Sequence, residues 1–268
     1  LLVGYGAGIY ASVGPLQGSV AIVSNQAARA FSQNSPMAYH LLPSADYLAS
    51  TVNDPTHPVV HFAGDGYAKE KAAYGNSIVS ISNLDDFLLA KNGEREKPAA
   101  NDLTSAEILN SSLIGYANRA HTSLDSWTPP AGIEVDQIVG WGVDTVAGVD
   151  FYSTWSLFGP QREYRPIFVE DGDGTVPVPS GLAMATSTSV NRYWVDLNSY
   201  YKDTKIKRSH PDLFEIPSLE DFIKSILQND ASTTPAYIST NQPAPLTNNK
   251  KLTFYLHSPL TLQLQDTS

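Results

Sequence analysis

The sequence predicts an α/β fold, and three observations carry that prediction. Strand-type segments alternate with helix-type segments after residue 130. The local signals change character at Pro129-Pro130, from helix-capping patterns before it to strand–turn–strand patterns after it. Hydrophobic residues make up 42% of the 268 and charged residues only 16%, enough apolar material to bury a core and too little charge for global disorder. That length is room for one large domain, or for one domain and part of another.

Taken in order, the chain opens LLVGYGAG, with no initiator methionine and no basic stretch ahead of an apolar run. It reads as a segment whose natural start lies upstream, in which no secretory signal is visible. Gly4, Gly6, Gly8, Gly14 and Gly18 mark residues 4–18 as a loop. Gly4-Tyr5-Gly6-Ala7-Gly8 lacks the G-x-G-x-x-G spacing and the acidic residue about 20 positions on that a dinucleotide loop needs. Residues 24–33 can form a short helix capped by Ser24, and Ser35-Pro36 places a capping serine before a proline at the first position of another, ended by Pro43. Thr104-Ser105-Ala106-Glu107 has the form of a capping box, with a helix expected from it to about His121. Residues 1–34 are read as a loop and helix, and 35–130 as a mostly helical cap.

Ile133 to Gly140 reads as a strand. Val149–Trp155 and Glu163–Val169 flank Phe158-Gly159-Pro160 as a hairpin, and Trp194–Leu197 is a further short strand. Ile133–Val139 and Pro166–Val169 are expected in one sheet, the core contributed by residues 131–228. Pro217 opens a helix with Leu219, Phe222, Ile223, Ile226 and Leu227 on one stripe. Residues 229–250, rich in Asn, Ser, Thr and Pro, have linker chemistry. Beyond them Leu252, Phe254 and Leu256, then Leu260, Leu262 and Leu264, alternate with other residues as in two half-buried strands, the start of a β-rich domain broken off at Ser268.

Composition excludes several functions. The formal net charge of −10 and a pI near 4.9 argue against a nucleic-acid binder. Lys202, Lys205, Lys207 and Arg208, with Asp203 among them, read as a solvated turn. No stretch approaches the roughly 18 continuous apolar residues of a membrane span. With no cysteine, disulfides, thiolate metal sites and cysteine nucleophiles are excluded.

The stretch richest in chemistry is Val169-Glu170-Asp171-Gly172-Asp173-Gly174-Thr175-Val176-Pro177, an apolar strand delivering the chain into an acidic turn. Such a carboxylate sits at a sheet rim, where α/β enzymes keep their sites. Ser209-His210-Pro211-Asp212 follows in a later loop. An acid in one loop and a histidine in a later one is the Asp-then-His order of serine hydrolases of the α/β class, in which the carboxylate fixes the imidazole tautomer and the imidazole moves the proton. The acidic turn also admits a calcium reading, although Leu182 stands where an EF-hand loop starting at Asp171 needs glutamate. It can equally be only a turn. His57 and His61 are four apart, but Pro55 and Pro58 break any helix that would align them on a metal. His40 reads as a partly buried histidine, and His121 and His257 have no acidic or hydroxyl constellation in sequence.

Four segments together carry a family resemblance. VEDGDGTVP resembles the acid-turn motif of the lecithin:cholesterol acyltransferase-like lipase family. Pro36–Leu48 (PMAYHLLPSADYL) is similar to the segment that opens its cap, Pro129–Thr145 to its next core strand, and SHPDLF to the region of its catalytic histidine. They cover roughly residues 20–228 in the family's order. The resemblance implies an α/β-hydrolase core, a serine-dependent acyl-enzyme mechanism without cofactor or metal, and lipid or other acyl esters as substrates, with interfacial membrane contact. It implies Asp173 as the acid and His210 as the base, expected within roughly 2.6–3.2 Å, with Asp171 the competing carboxylate. The chain departs from the family in having no G-x-S-x-G elbow. The expected nucleophile therefore lies upstream of Leu1, and this segment is the acid-and-base half of a hydrolase or acyltransferase. The alternative is a non-enzymatic modular adhesion protein, resting on the linker and the β-like tail. The linker and β-like tail point to an extracellular or cell-surface location.

Overall fold

Ser24 ends an extended segment and accepts a hydrogen bond from the Ala27 amide, so the chain turns helical at Asn25 for the reason its sequence gives. The computed structural model describes residues 9–13, 18–51, 58–99, 101–102, 105–157, 159–184, 187–230 and 233–244. The elements run β1 (Ile9–Val13), β2 (Gly18–Val23), α1 (Asn25–Asn34), α2 (Pro36–His40), α3 (Ala45–Thr51), β3 (Val60–Phe62), α4 (Ala68–Tyr74), β4 (Ser77–Ile78), α5 (Ile81–Leu88) and α6 (Ser111–Asp125). They continue β5 (Val135–Trp141), β6 (Thr145–Ser156), β7 (Gly159–Val169), α7 (Val178–Gly181), β8 (Val190–Asp196), α8 (Leu197–Thr204), a short 3₁₀ helix (His210–Glu215), α9 (Pro217–Leu227) and β9 (Ile238–Ser239). Helices and sheets of mixed direction make this an α/β molecule.

Three sheets are formed among the described residues. β1 and β2 pair only with each other, antiparallel, so part of the expected glycine-rich loop is strand; Ile9, Tyr10 and Val13 supply β-forming residues between the glycines. The second sheet has the order β4-β3-β6-β7, with β3 and β6 parallel and β6 and β7 an antiparallel hairpin from Thr145↔Val169 to Ser156↔Gly159. Its buried face presents Val60, Phe62, Val149 and Phe151 to Tyr39, Leu48, Leu84, Phe87 and Ile114 from the helices of residues 36–125. The third sheet has the order β5-β8-β9, with β5 and β8 parallel over seven residue pairs, Val135↔Val190 to Trp141↔Asp196. It is covered by α8 and α9 through Leu197, Tyr200, Leu219 and Phe222.

This arrangement overturns the expectation that Ile133–Val139 and Pro166–Val169 share a sheet, and with it the single core expected over residues 131–228. The reason is packing: Val149 and Phe151 on the long strand β6 match the aromatic face of Phe62 and Phe87, with Phe62–Phe151 and Phe87–Phe151 ring centroids both 5.7 Å apart. The hairpin 145–169 therefore joins the core of the helical region, across the boundary expected at residue 130. The expected linker is also partly structured. β9 pairs antiparallel with β8, and Ile238 is buried beside Val195.

Three helix details differ from expectation. Pro36 starts α2, but the Ser35 side chain makes no cap bond. α6 starts at Ser111, where Asn110 Oδ1 accepts from the Ser112 and Leu113 amides, because Glu107 is committed to a buried ion pair with Arg29 at 3.2 Å. In α9, Leu219 and Phe222 are buried with Ile223 and Ile226 packed beside them, whereas Leu227, in the last turn, is exposed. Thr104, His57, His257, the Gly4–Gly8 segment and the strands expected after residue 250 lie outside the described residues.

Candidate active site

The acid turn reaches its position through a detour. β5 ends at Trp141, the chain leaves along β6, returns along β7, and is pinned back where it departed. The Gly142 amide donates to Glu170 O at 3.0 Å, the Val143 amide to Gly172 O at 3.0 Å, and Val143 and Asp173 form a parallel bridge. Asp173 thus stands at the carboxyl end of the parallel β5–β8 pair, the end at which open α/β sheets place ligands. Gly140 makes the room: a Cβ there would lie 2.6 Å from the Asp173 Cβ.

Asp173 is 5% exposed, and both of its carboxylate oxygens are engaged. Oδ1 accepts from the Thr175 amide at 3.0 Å and the Val176 amide at 2.8 Å, the short-range pattern by which an aspartate closes its own turn. Oδ2 faces His210 Nδ1 at 2.9 Å. A carboxylate only accepts, so Nδ1 carries the proton and the neutral ring presents its lone pair at Nε2. The His210 amide also donates to Asp173 O at 2.8 Å, so the two residues are joined twice. The histidine side chain is 49% exposed, and no hydroxyl bonds it among the described residues. Asp171 is not its partner; the Asp171 carbonyl accepts the Val178 amide at 2.8 Å.

The rest of the Ser209–Asp212 motif is local architecture. Asp212 Oδ1 accepts from the Ser209 amide at 2.6 Å and Oδ2 pairs with Arg208 at 3.3 Å, which closes the 3₁₀ helix under His210. The Ser209 amide, helped by Arg208 and opposed by partial burial, holds the Asp212 carboxyl below its ordinary range. Arg208 also meets Glu215 at 2.8 Å, so the basic cluster is partly neutralised.

A cavity of about 570 Å³ lies between the helical region and the acid turn. Leu42, Tyr47, Leu124, Trp127, Val176 and Met184 give it a largely apolar wall. Neither Asp173 nor His210 lines it, but Thr175 and Val176, whose amides hold Asp173, do. His40, half-buried, and His121 stand at its wall, the latter bonded through Nε2 to His40 O at 3.0 Å. No group of three His, Asp or Glu side chains suited to a metal occurs among the described residues, and no described helix is long and apolar enough to cross a membrane.

Sequence reasoning missed a second His–Asp couple. His61 Nδ1 lies 2.7 Å from Asp150 Oδ1, and Arg165 meets Asp150 Oδ2 through Nε at 2.9 Å and Nη2 at 2.8 Å. The three residues stand abreast on β3, β6 and β7. Nothing local signals that alignment; only the parallel register of strands 89 residues apart creates it.

No family model, curated protein or solved structure matches this chain.

Proposed function

We propose that residues 131–228 carry the acid and base of a serine-dependent acyl-ester hydrolase or acyltransferase of α/β-hydrolase type, acting on lipid-like esters. The observation that carries this reading is the half-exposed His210 imidazole, held at Nδ1 by a nearly buried carboxylate at the carboxyl end of a parallel strand pair. Asp173 fixes the tautomer and stabilises the imidazolium; no other cationic side chain competes for it among its hydrogen bonds. Nε2 takes the proton of a serine hydroxyl as its oxygen attacks the ester carbonyl. The same proton passes to the departing alkoxide, and the acyl group is left on the serine. Water or an alcohol then repeats the cycle and releases the acyl group. The apolar cavity under the acid turn has the size and wall chemistry of a site for an acyl chain.

The serine is not supplied by the described residues, and the family resemblance puts it ahead of residue 1. The test is a serine-directed fluorophosphonate together with a short acyl ester, applied to the full gene product and to residues 1–268 alone. The full product is expected to label and turn over, and the segment alone to do neither. A full product that never labels sinks the reading, and stoichiometric labelling of the segment overturns the outside position of the serine.

A further inference from the structure

We propose that Thr145 is a positioning residue for the His210–Asp173 couple, an inference that rests on the hydrolase reading of that couple. Thr145 is fully buried at the start of β6. Its Oγ1 donates to Val143 O at 2.8 Å and accepts from the Gly174 amide at 2.8 Å. The Gly174 N–H and the Asp173 C=O are opposite ends of one peptide unit, which is planar and turns as a single body. At its other end that same peptide accepts the His210 amide at 2.8 Å. One rigid plane therefore stands between the threonine hydroxyl and the backbone of the base, while the Asp173 side chain spans the same two residues through Nδ1.

The contact leaves little slack. A Cβ on Gly172 would fall 2.2 Å from Thr145 Oγ1, so the turn is seated directly on the hydroxyl. The hydroxyl donates in one direction and accepts in the other, a double role that valine, equal in shape, cannot fill. Removing it costs the Gly174 amide and the Val143 carbonyl a hydrogen bond each beside the buried Thr145 side chain and loosens the 173–174 peptide. Rotation of that plane displaces the carbonyl that accepts the His210 amide relative to the Asp173 carboxylate, which opens the Nδ1 contact. Serine retains both hydrogen bonds.

The test uses the full chain with ¹⁵N-labelled histidine and contains no substrate, so failure of the hydrolase reading would not alter its outcome. His210 is expected to show a protected Nδ1 proton and a single tautomer, and His61 provides a second carboxylate-held imidazole as internal reference. Thr145→Val is expected to abolish the His210 Nδ1 signal and give mixed tautomers while leaving the His61 signal in place, and Thr145→Ser to restore the His210 signal. If Thr145→Val leaves both imidazoles unchanged, or disturbs both equally, the proposal is overturned, because the hydroxyl then holds nothing or holds the whole fold.

Discussion

Two imidazoles in this molecule are each gripped at Nδ1 by a nearly buried aspartate, and they differ in what else that aspartate holds. Asp173 gives its second oxygen to two backbone amides, which carry no net charge, so its full negative charge faces His210. Asp150 gives its second oxygen to the guanidinium of Arg165, so its charge is already met when His61 approaches. Ser77 lies opposite His61 in register on β4, yet makes no hydrogen bond to it. An imidazole that must become a cation during a reaction needs an uncommitted anion beside it. The geometry of the two couples is alike; the second partner of the carboxylate separates the proposed base from a cross-strand brace.

The largest expected effect tests that division directly. In the full gene product, His210→Ala should lower kcat/KM for an acyl ester by on the order of 10⁴-fold or more, while His61→Ala leaves it unchanged. Equal losses would erase the distinction. The paired aspartates should then divide activity from stability. Asp173→Asn keeps an acceptor for the two turn amides but no longer fixes the Nδ1–H tautomer. It should cost about 10⁴-fold in rate and under about 1 kcal/mol of folding stability. Asp150→Asn breaks a nearly buried ion pair whose Arg165 and His61 are 49% and 37% exposed, so solvent recovers part of the loss. About 2 kcal/mol of destabilisation by urea melting, with no change in rate, is expected.

Gly140→Ala comes next. The new methyl meets the Asp173 Cβ, and displacing the acid by a fraction of an ångström should reduce turnover by about 10²-fold. The His61 couple, on another sheet, should be untouched. The smallest effect concerns alkaline stability. Burial pushes the Tyr67 phenol up to about 12, with Arg162 opposing, and pushes Tyr74 up to about 12 as well. Both belong to the core cluster that includes the buried neighbours of His61 on β3, Val60 and Phe62. Because their folded pKa values lie above the free-phenol value near 10, stability should be intact below pH 10 and decline as the pH rises from about 10 to 12. Phenolate absorbance that titrates fully at pH 10 without unfolding would show that this body is not dry.

The legible and illegible parts of this fold separate by the range of the forces that made them. Ser24 capping α1, the Gly159 hairpin and the Leu219–Phe222 face of α9 are short-range facts, written within a few residues. The proximity of Asp173 and His210 was also anticipated, since the first follows a strand and the second precedes a helix, in loops that can reach one sheet rim. What stayed hidden depends on partners chosen across the chain. Glu107 was taken from its capping role by Arg29, and Ile238 was drawn out of linker-like sequence onto β8. The β6–β7 hairpin was claimed by Phe62 and Phe87 rather than by β5. No periodicity records such competitions. The His61–Asp150–Arg165 row is the extreme case, because its residues meet only after three strands have taken their register.

The detour that carries the acid away from β5 and back has a use for protein engineering. Its two feet, Val143 and Glu170–Gly172, are fastened side by side, so the position of Asp173 is set at the base and not by the length of the loop above it. Its last strand pair is Ser156 with Gly159, and Trp155 and Leu157 beside it face solvent. Peptide tags, fluorophores or whole inserted domains placed there would enter a hairpin already closed at its base. The tip is therefore a grafting site where sequence can be added without shifting the carboxylate.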